Sequence, residues 1–373
     1  MDQLIFIVCG RSKRAGLGFA SVAVLLLASL PAFAADPTPA ALTEHGHFKR
    51  AQVILAERLK ANPNDAQALC DMSKVSIAFL RRDDAVQQAE KALAIDGKSV
   101  DFHVQLVEAL GSKLDDTDAG MFARMSLARR FRKEAEITLQ LDPNNIDANE
   151  DLMEFHLDAP GIVGGDQQKA DEIAERMTHI SPVHGYLMKV EIALHDRRTA
   201  EIGPLLRQAI NADPKNYSAQ MRAANFYLEQ GGAALAQAEA QAKQAIAIAP
   251  DRVSGYTALA VVYTQQARWN DLEALLKDAQ TAVPDDLAPL YQSAKNIVTN
   301  NQIQQMTRAE GYLRSYLAQP PEGGEPSLAG AHWRLGLVLE KQGHKDQARQ
   351  ELQTAVTLDP KFEPAKKDLK RLQ

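Results

Sequence analysis

The stretch AGAHWRLGLVLEKQGHKDQARQELQTAVTLDPKF, Ala329 to Phe362, decides the fold. Its first half carries apolar or small residues at Ala331, Leu335, Gly336, Val338 and Leu339. Its second half sets Ala348, Leu352 and Ala355 on one face. Offsets of three and four within each half predict two amphipathic helices. Gln342-Gly343-His344 between them supplies the turn, and Pro360 stops the second helix. The small residues Gly336, Ala348 and Ala355 let the two helices approach closely.

Laid backward along the chain, the same pattern recurs. Stop residues fall at Pro63, Gly97, Pro143, Pro182, Pro214, Pro250, Pro284, Pro321 and Pro360. Small or apolar residues hold matched offsets, clearest in Ala85, Ala89 and Ala92, in Ala238, Ala242 and Ala245, and in Leu259, Ala260, Leu276 and Ala279. Such a unit resembles the tetratricopeptide repeat, a helix–turn–helix of about 34 residues. Trp333 stands one place after the aromatic position of that pattern, which His332 occupies here, and Leu339 replaces its tyrosine. One helix pair cannot bury its own apolar face, so neighbours must stack. The resemblance implies an all-α fold, a right-handed superhelix of helical hairpins, elongated, with first helices lining its concave side. About eight to nine pairs fit residues 35–373, closed by a capping helix over 361–373. The register is weakest between residues 99 and 214, where Glu191 falls at a place expected to be apolar.

The N-terminus reads differently. Arg11, Lys13 and Arg14 precede the apolar run Val22–Leu30 and the small-residue site Pro31-Ala32-Phe33-Ala34. A basic region, a short apolar core and an A-x-A site make a secretory signal peptide over residues 1–34, cut after Ala34. The run is too short for a resident membrane span. The ten residues before Arg11 are unusual for a leader, so the start can lie further in than Met1. Cleavage predicts a periplasmic or secreted protein with one cysteine, Cys70, and therefore no internal disulfide.

The net charge is −6, and charged residues make up 24% of the chain. Removing the leader takes away three basic residues and one acidic one, so the mature chain is more acidic still. That balance lacks the basic footprint of a nucleic-acid binder. Catalytic and metal motifs are missing too. The glycine-rich loop 159–166 joins two helices and no lysine–serine pair follows it, so Asp166 is expected to cap the next helix and Gly161 to end the previous one. The acidic loop 115–120 places Leu127 where a calcium loop needs its glutamate. His45-Gly46-His47 is the one close histidine pair, but Gly46 sits in an expected turn and no acid or cysteine partner is fixed nearby to complete the three or four ligands a zinc site needs. No cofactor and no metal are expected.

The remaining signal is a carboxylate stripe: Asp147, Glu150, Asp151, Glu154 and Asp158, three and four residues apart on one helix face. Two readings stand. Either the stripe faces an open groove near Asp101 and Glu108 and receives a partner, or Arg129, Arg130, Arg132 and Lys133 of the preceding helix neutralise it. Further groove positions are Arg222, Asn225, Tyr291, Lys295, Trp333 and Arg334. Some proteins with this repeat clamp a peptide carboxylate with lysines and asparagines; Asn225 matches one such place and the others do not. The expectation is a scaffold that binds another protein or peptide in its concave groove within the bacterial envelope, without catalysis. The alternative is an enzyme, or an enzyme's accessory subunit, with a site on the long loops 111–120 and 159–166. Self-association is compatible with either.

Overall fold

A computed structural model describes residues 37–115 and 120–372. The signal-peptide reading of 1–34 and the acidic positions 116–119 lie outside the described residues. Among these there is no strand; eighteen α-helices pair into nine hairpins. The hairpins are α1 Pro39–His45 with α2 Phe48–Ala61, α3 Ala66–Ala78 with α4 Arg82–Ile95, and α5 Val100–Leu114 with α6 Met121–Leu141. Next come α7 Ile146–Asp158 with α8 Gln167–Ile180, α9 Pro182–His195 with α10 Thr199–Ala212, and α11 Tyr217–Gln230 with α12 Leu235–Ile248. The last are α13 Val253–Gln265 with α14 Trp269–Ala282, α15 Ala288–Thr299 with α16 Met306–Leu317, and α17 Leu328–Lys341 with α18 Lys345–Leu358. A nineteenth helix, α19 Glu363–Arg371, follows alone.

One piece of local chemistry joins many of the hairpins. Asn62, Asp96, Asp142, Asp213 and Asp359 each leave a helix in extended backbone, and each side-chain oxygen accepts the N–H two residues on. Asp65, Ser99, Asn145 and Asn216 then cap the following helix by accepting an N–H of its first turn. These side chains satisfy backbone groups that helix ends leave unpaired. The stop residues found in sequence therefore mark polar turns as well as helix ends.

Turns inside the hairpins place one residue in left-handed backbone. Gly343 does so at φ 88°, but Leu80, Arg197, Ala267 and Asn301 hold φ of 50° to 58° without being glycine. Of these only Arg197 lies in the stretch 99–214, where the missing turn glycine adds to the weak register. Close approach between paired helices is clearest at Gly336, where an added Cβ would stand 2.9 Å from Leu352 Cγ and 3.2 Å from the Ala348 carbonyl. The fourth and fifth hairpins are joined by the shortest linker of the stack. Only Ser181 separates α8 from α9, because Pro182 both stops one helix and opens the other as its first residue.

Two local expectations for the 159–166 loop need correction. Ala159, not Gly161, follows α7, and Gly161 opens a short 3₁₀ turn. Asp166 stands at the start of α8, but its side chain makes no capping bond. The loop instead folds onto its own hairpin, with the Asp166 N–H donating to the His156 carbonyl and the Gly164 carbonyl 3.1 Å from His156 Nδ1.

First helices of successive hairpins touch one another along most of the stack, from α1·α3 through α15·α17. They form the inner layer, and the second helices form the outer one. The stack does not stay open, however. The first hairpin reaches the linkers at 249–252, 283–287 and 318–327, more than 200 residues away in sequence. The expectation of an elongated solenoid is replaced by one that curves until its start meets its later turns.

Candidate functional site

The inner layer brings the carboxylates together. Asp147 and Glu154 on α7 are exposed, Glu150 and Asp151 half-buried, and Glu108 on α5 adds a fifth acid beside them. Burial pushes the Asp151 carboxyl up to about 8, helped by the negative charge of Glu108, Glu154, Asp147 and Glu150. Glu108 and Glu154 are raised for the same leading reason. Asp151 Oδ2 is buried and has no hydrogen-bond partner. Although these groups open onto the groove, protein surrounds them closely enough to disfavour their charge.

The neutralising reading fails in its stated form. Arg130 pairs with Glu90 at 2.6 Å, and Arg132 pairs with Glu136 on its own helix. Arg129 and Lys133 are exposed on α6, in the outer layer. The cation that does meet the stripe comes from two hairpins further on. Arg222 of α11 contacts Glu150 at 3.2 Å and also pairs with Glu191 of α9. Glu191, an apparent break in the apolar pattern, is thus an inner-layer partner for Arg222. Lys74 on α3 is the other nearby positive charge and acts on Glu108. Asp158, one turn further on, adds its negative charge to Glu154 and stands 4.0 Å from His195.

The other sequence candidates divide. Tyr291 is buried with its ring tilted at 45° against that of Tyr316, and its hydroxyl receives a 2.7 Å hydrogen bond from Arg334. Arg334 also lies over both the Tyr291 and Trp333 rings. Trp333 donates its indole N–H to Asp368 at 2.8 Å and meets the Phe362 ring edge-on. Three groups proposed as groove anchors are therefore occupied in holding α15, α17 and α19 together. Asn225 and Lys295 are exposed.

Sequence reasoning missed the seam between the first hairpin and the later linkers. His45 Nδ1 stands 2.6 Å from Asp251, and His47 Nδ1 3.1 Å from Asp285. Lys49 donates its backbone N–H to Glu322 at 2.7 Å and its ammonium to the carbonyls of Asp285 and Pro320. Arg252 pairs with Glu44 at 3.2 Å, and the Gly324 N–H donates to the Ala78 carbonyl at 2.8 Å. The histidine pair was visible, but its acids lie 206 and 238 residues downstream, where no spacing rule reaches. A cavity of about 580 Å³ lies behind the seam, its wall including Lys74, Glu108, Tyr217, Arg252 and Asp286. Among the described residues no group of three or more histidines, cysteines and acids is placed to hold a metal ion. No helix among them is long and apolar enough to cross a membrane.

Comparison with known proteins agrees on the repeat. The tetratricopeptide-repeat family model matches residues 329–362. A search of curated proteins found no match. Among solved structures, yeast Tom70 is similar at 14% identity and a TM-score of 0.47, over 90% of this chain and 79% of that one. A tetratricopeptide-repeat protein from Parabacteroides merdae is 11% identical at 0.42, over 82% and 98%. A thermophilic one from Thermus thermophilus is 18% identical at 0.39, over 51% and 98%. The matched unit is α17, its turn and α18, and the other eight hairpins repeat that arrangement without a strand between them. Residues 329–362 are thus a tetratricopeptide repeat, and the described residues stack eight further helical hairpins of the same form beside it in an all-α superhelix.

Proposed function

We propose that this protein is an exported scaffold of the bacterial envelope, without catalysis of its own, that receives a basic segment of a partner protein along the inner faces of α5, α7 and α9. The observation that carries the reading is the acidic wall of Glu108, Asp147, Asp151 and Glu154, for which Arg222 and Lys74 supply too little positive charge. A lysine- and arginine-rich segment would supply the missing counter-charge and a donor for Asp151 Oδ2. Attraction of this kind raises the association rate and weakens with salt. The screening length falls from about 10 Å at 0.1 M to about 3 Å at 1 M.

The test is titration of the chain with a lysine- and arginine-rich peptide and with its aspartate- and glutamate-rich counterpart. The basic peptide should bind, lose affinity with salt, and bind about tenfold more weakly to the Asp151→Asn, Glu154→Gln double variant, a change of about 1.4 kcal/mol. Equal binding of both peptides would overturn the reading. Export rests on the basic–apolar–A-x-A pattern of residues 1–34. N-terminal sequencing of the secreted or periplasmic protein should begin at Ala35 or Asp36, and an intact leader on a cytoplasmic protein would refute it.

A further inference from the structure

The seam is unlike the contacts between neighbouring hairpins. Those share apolar cores: one cluster joins Leu42, Ala51 and Leu55 of the first hairpin to Ala68, Met72 and Val75 of α3, and another runs from α11 to α18. No core cluster among the described residues spans the seam. It is held by two histidine–aspartate pairs, the contacts of Lys49 with Glu322 and the Arg252–Glu44 pair, while the Gly324 N–H reaches past it to the Ala78 carbonyl on α3. A contact made of polar groups can part without exposing a core, since water replaces its bonds.

We infer that the first hairpin is a gate, fastened to the linkers at 249–252, 283–287 and 318–327 by His45, His47 and Lys49, and that raising the pH opens it onto the acidic interior. Glu108, on the wall of the cavity behind the gate, also belongs to the carboxylate wall, so opening there widens the approach to both. The use of the gate rests on the partner reading above; the gate itself does not.

The charged groups around His47 fix the sign. Asp285 and Asp286 face it from one linker, Asp251 from another, Arg50 and Lys49 from its own helix, and Glu322 binds Lys49 from the third linker. The Asp285 hydrogen bond holds the His47 imidazole above its usual value, and burial raises Glu322 and Asp286. The closed form therefore binds these protons more tightly than an open one would. Stabilisation by His47 is full below the ordinary histidine value and lost as pH rises through the elevated one. Asp251 and Asp285 are lowered, so they resist acid opening until pH falls below the ordinary carboxylate range. Closure is strongest at mildly acid pH.

Fluorescent labels at Glu57→Cys on α2 and Gln280→Cys on α14, in the full chain with Cys9→Ser, report the gate by energy transfer. Cys70 is buried with its thiol pushed up to about 12, so it stays unlabelled. Transfer should be high at pH 6 and fall by pH 8.5 with helical circular dichroism unchanged. His47→Gln, or Asp285→Asn should that variant fail to fold, should abolish the pH step. Equal transfer at both pH values, or a step that survives loss of the His47–Asp285 pair, overturns the gate. Peptide binding is read separately: a pH step without affinity for the basic peptide removes the partner reading alone.

Discussion

Two regions of the inner layer look alike in sequence and differ in physics. At the C-terminal end, Tyr291, Arg334 and Trp333 each have a partner within the fold, the last through Asp368 on α19. On α5 and α7, five carboxylates crowd together and Asp151 keeps an oxygen without a partner. Polar groups whose partners are internal stabilise the fold, whereas buried like charges destabilise it and leave something to be gained from a ligand. Position on the groove alone does not separate the two cases. Partner bookkeeping does.

The largest test of this contrast is Trp333→Ala. Loss of the indole from between α17 and α19 should cost about 3 kcal/mol, the lower part of the range for buried aromatic truncations because Trp333 is only half-buried. Chemical denaturation would read it, with α19 losing protection from hydrogen exchange first. A cost near zero would mean that α19 does not need this contact and would return Trp333 to the list of groove anchors.

The opposite sign is expected at Asp151. A carboxyl raised in the fold to about 8 lowers stability as pH climbs from the ordinary carboxylate range towards 8, since the folded state holds the proton more tightly. Asp151→Asn should stabilise the protein by about 1–3 kcal/mol at pH 8, the cost of one unsatisfied buried charged group. The gain should vanish near pH 4, where both proteins are uncharged at this place. A destabilised Asp151→Asn at pH 8 would show that the carboxylate has a cation partner.

Packing at the matched small residues should be indifferent to which region is chosen. Ala260 and Ala348 are fully buried, so a leucine at either should cost about 1–3 kcal/mol by overpacking. Gln280 and Gln353 are exposed, and alanine there should be near neutral. The smallest effect belongs to the turns. Ala267 holds φ 54° and is exposed, so Ala267→Gly should stabilise by about 0.5 kcal/mol, relief of left-handed strain outweighing the added chain entropy. Thermal midpoints of the two sets would check both.

Much of the fold was legible because its determinants are local. Three- and four-residue offsets, Asp-Pro turns and small residues at fixed places each act within one hairpin, and one hairpin implies the next. Residues 329–362 carried that signal most cleanly, and the family match covers the same residues. Where the signal lapsed, a local substitution was responsible: Arg197 in place of a turn glycine, Pro182 serving two helices, Glu191 facing Arg222.

The sequence by itself determined the helical hairpin, its repetition and which faces carry charge, since these depend on neighbours a few residues apart. Only the tertiary structure decided which charges meet. Arg222 joins Glu150 across 72 residues, and His47 joins Asp285 across 238. Those distances are set by the curvature of the whole stack, in which a small rotation per hairpin accumulates over nine units. No residue records that sum locally. It brings the first hairpin against the later linkers, leaves the carboxylates of α5 and α7 facing inward, and spends Trp333 on holding α19.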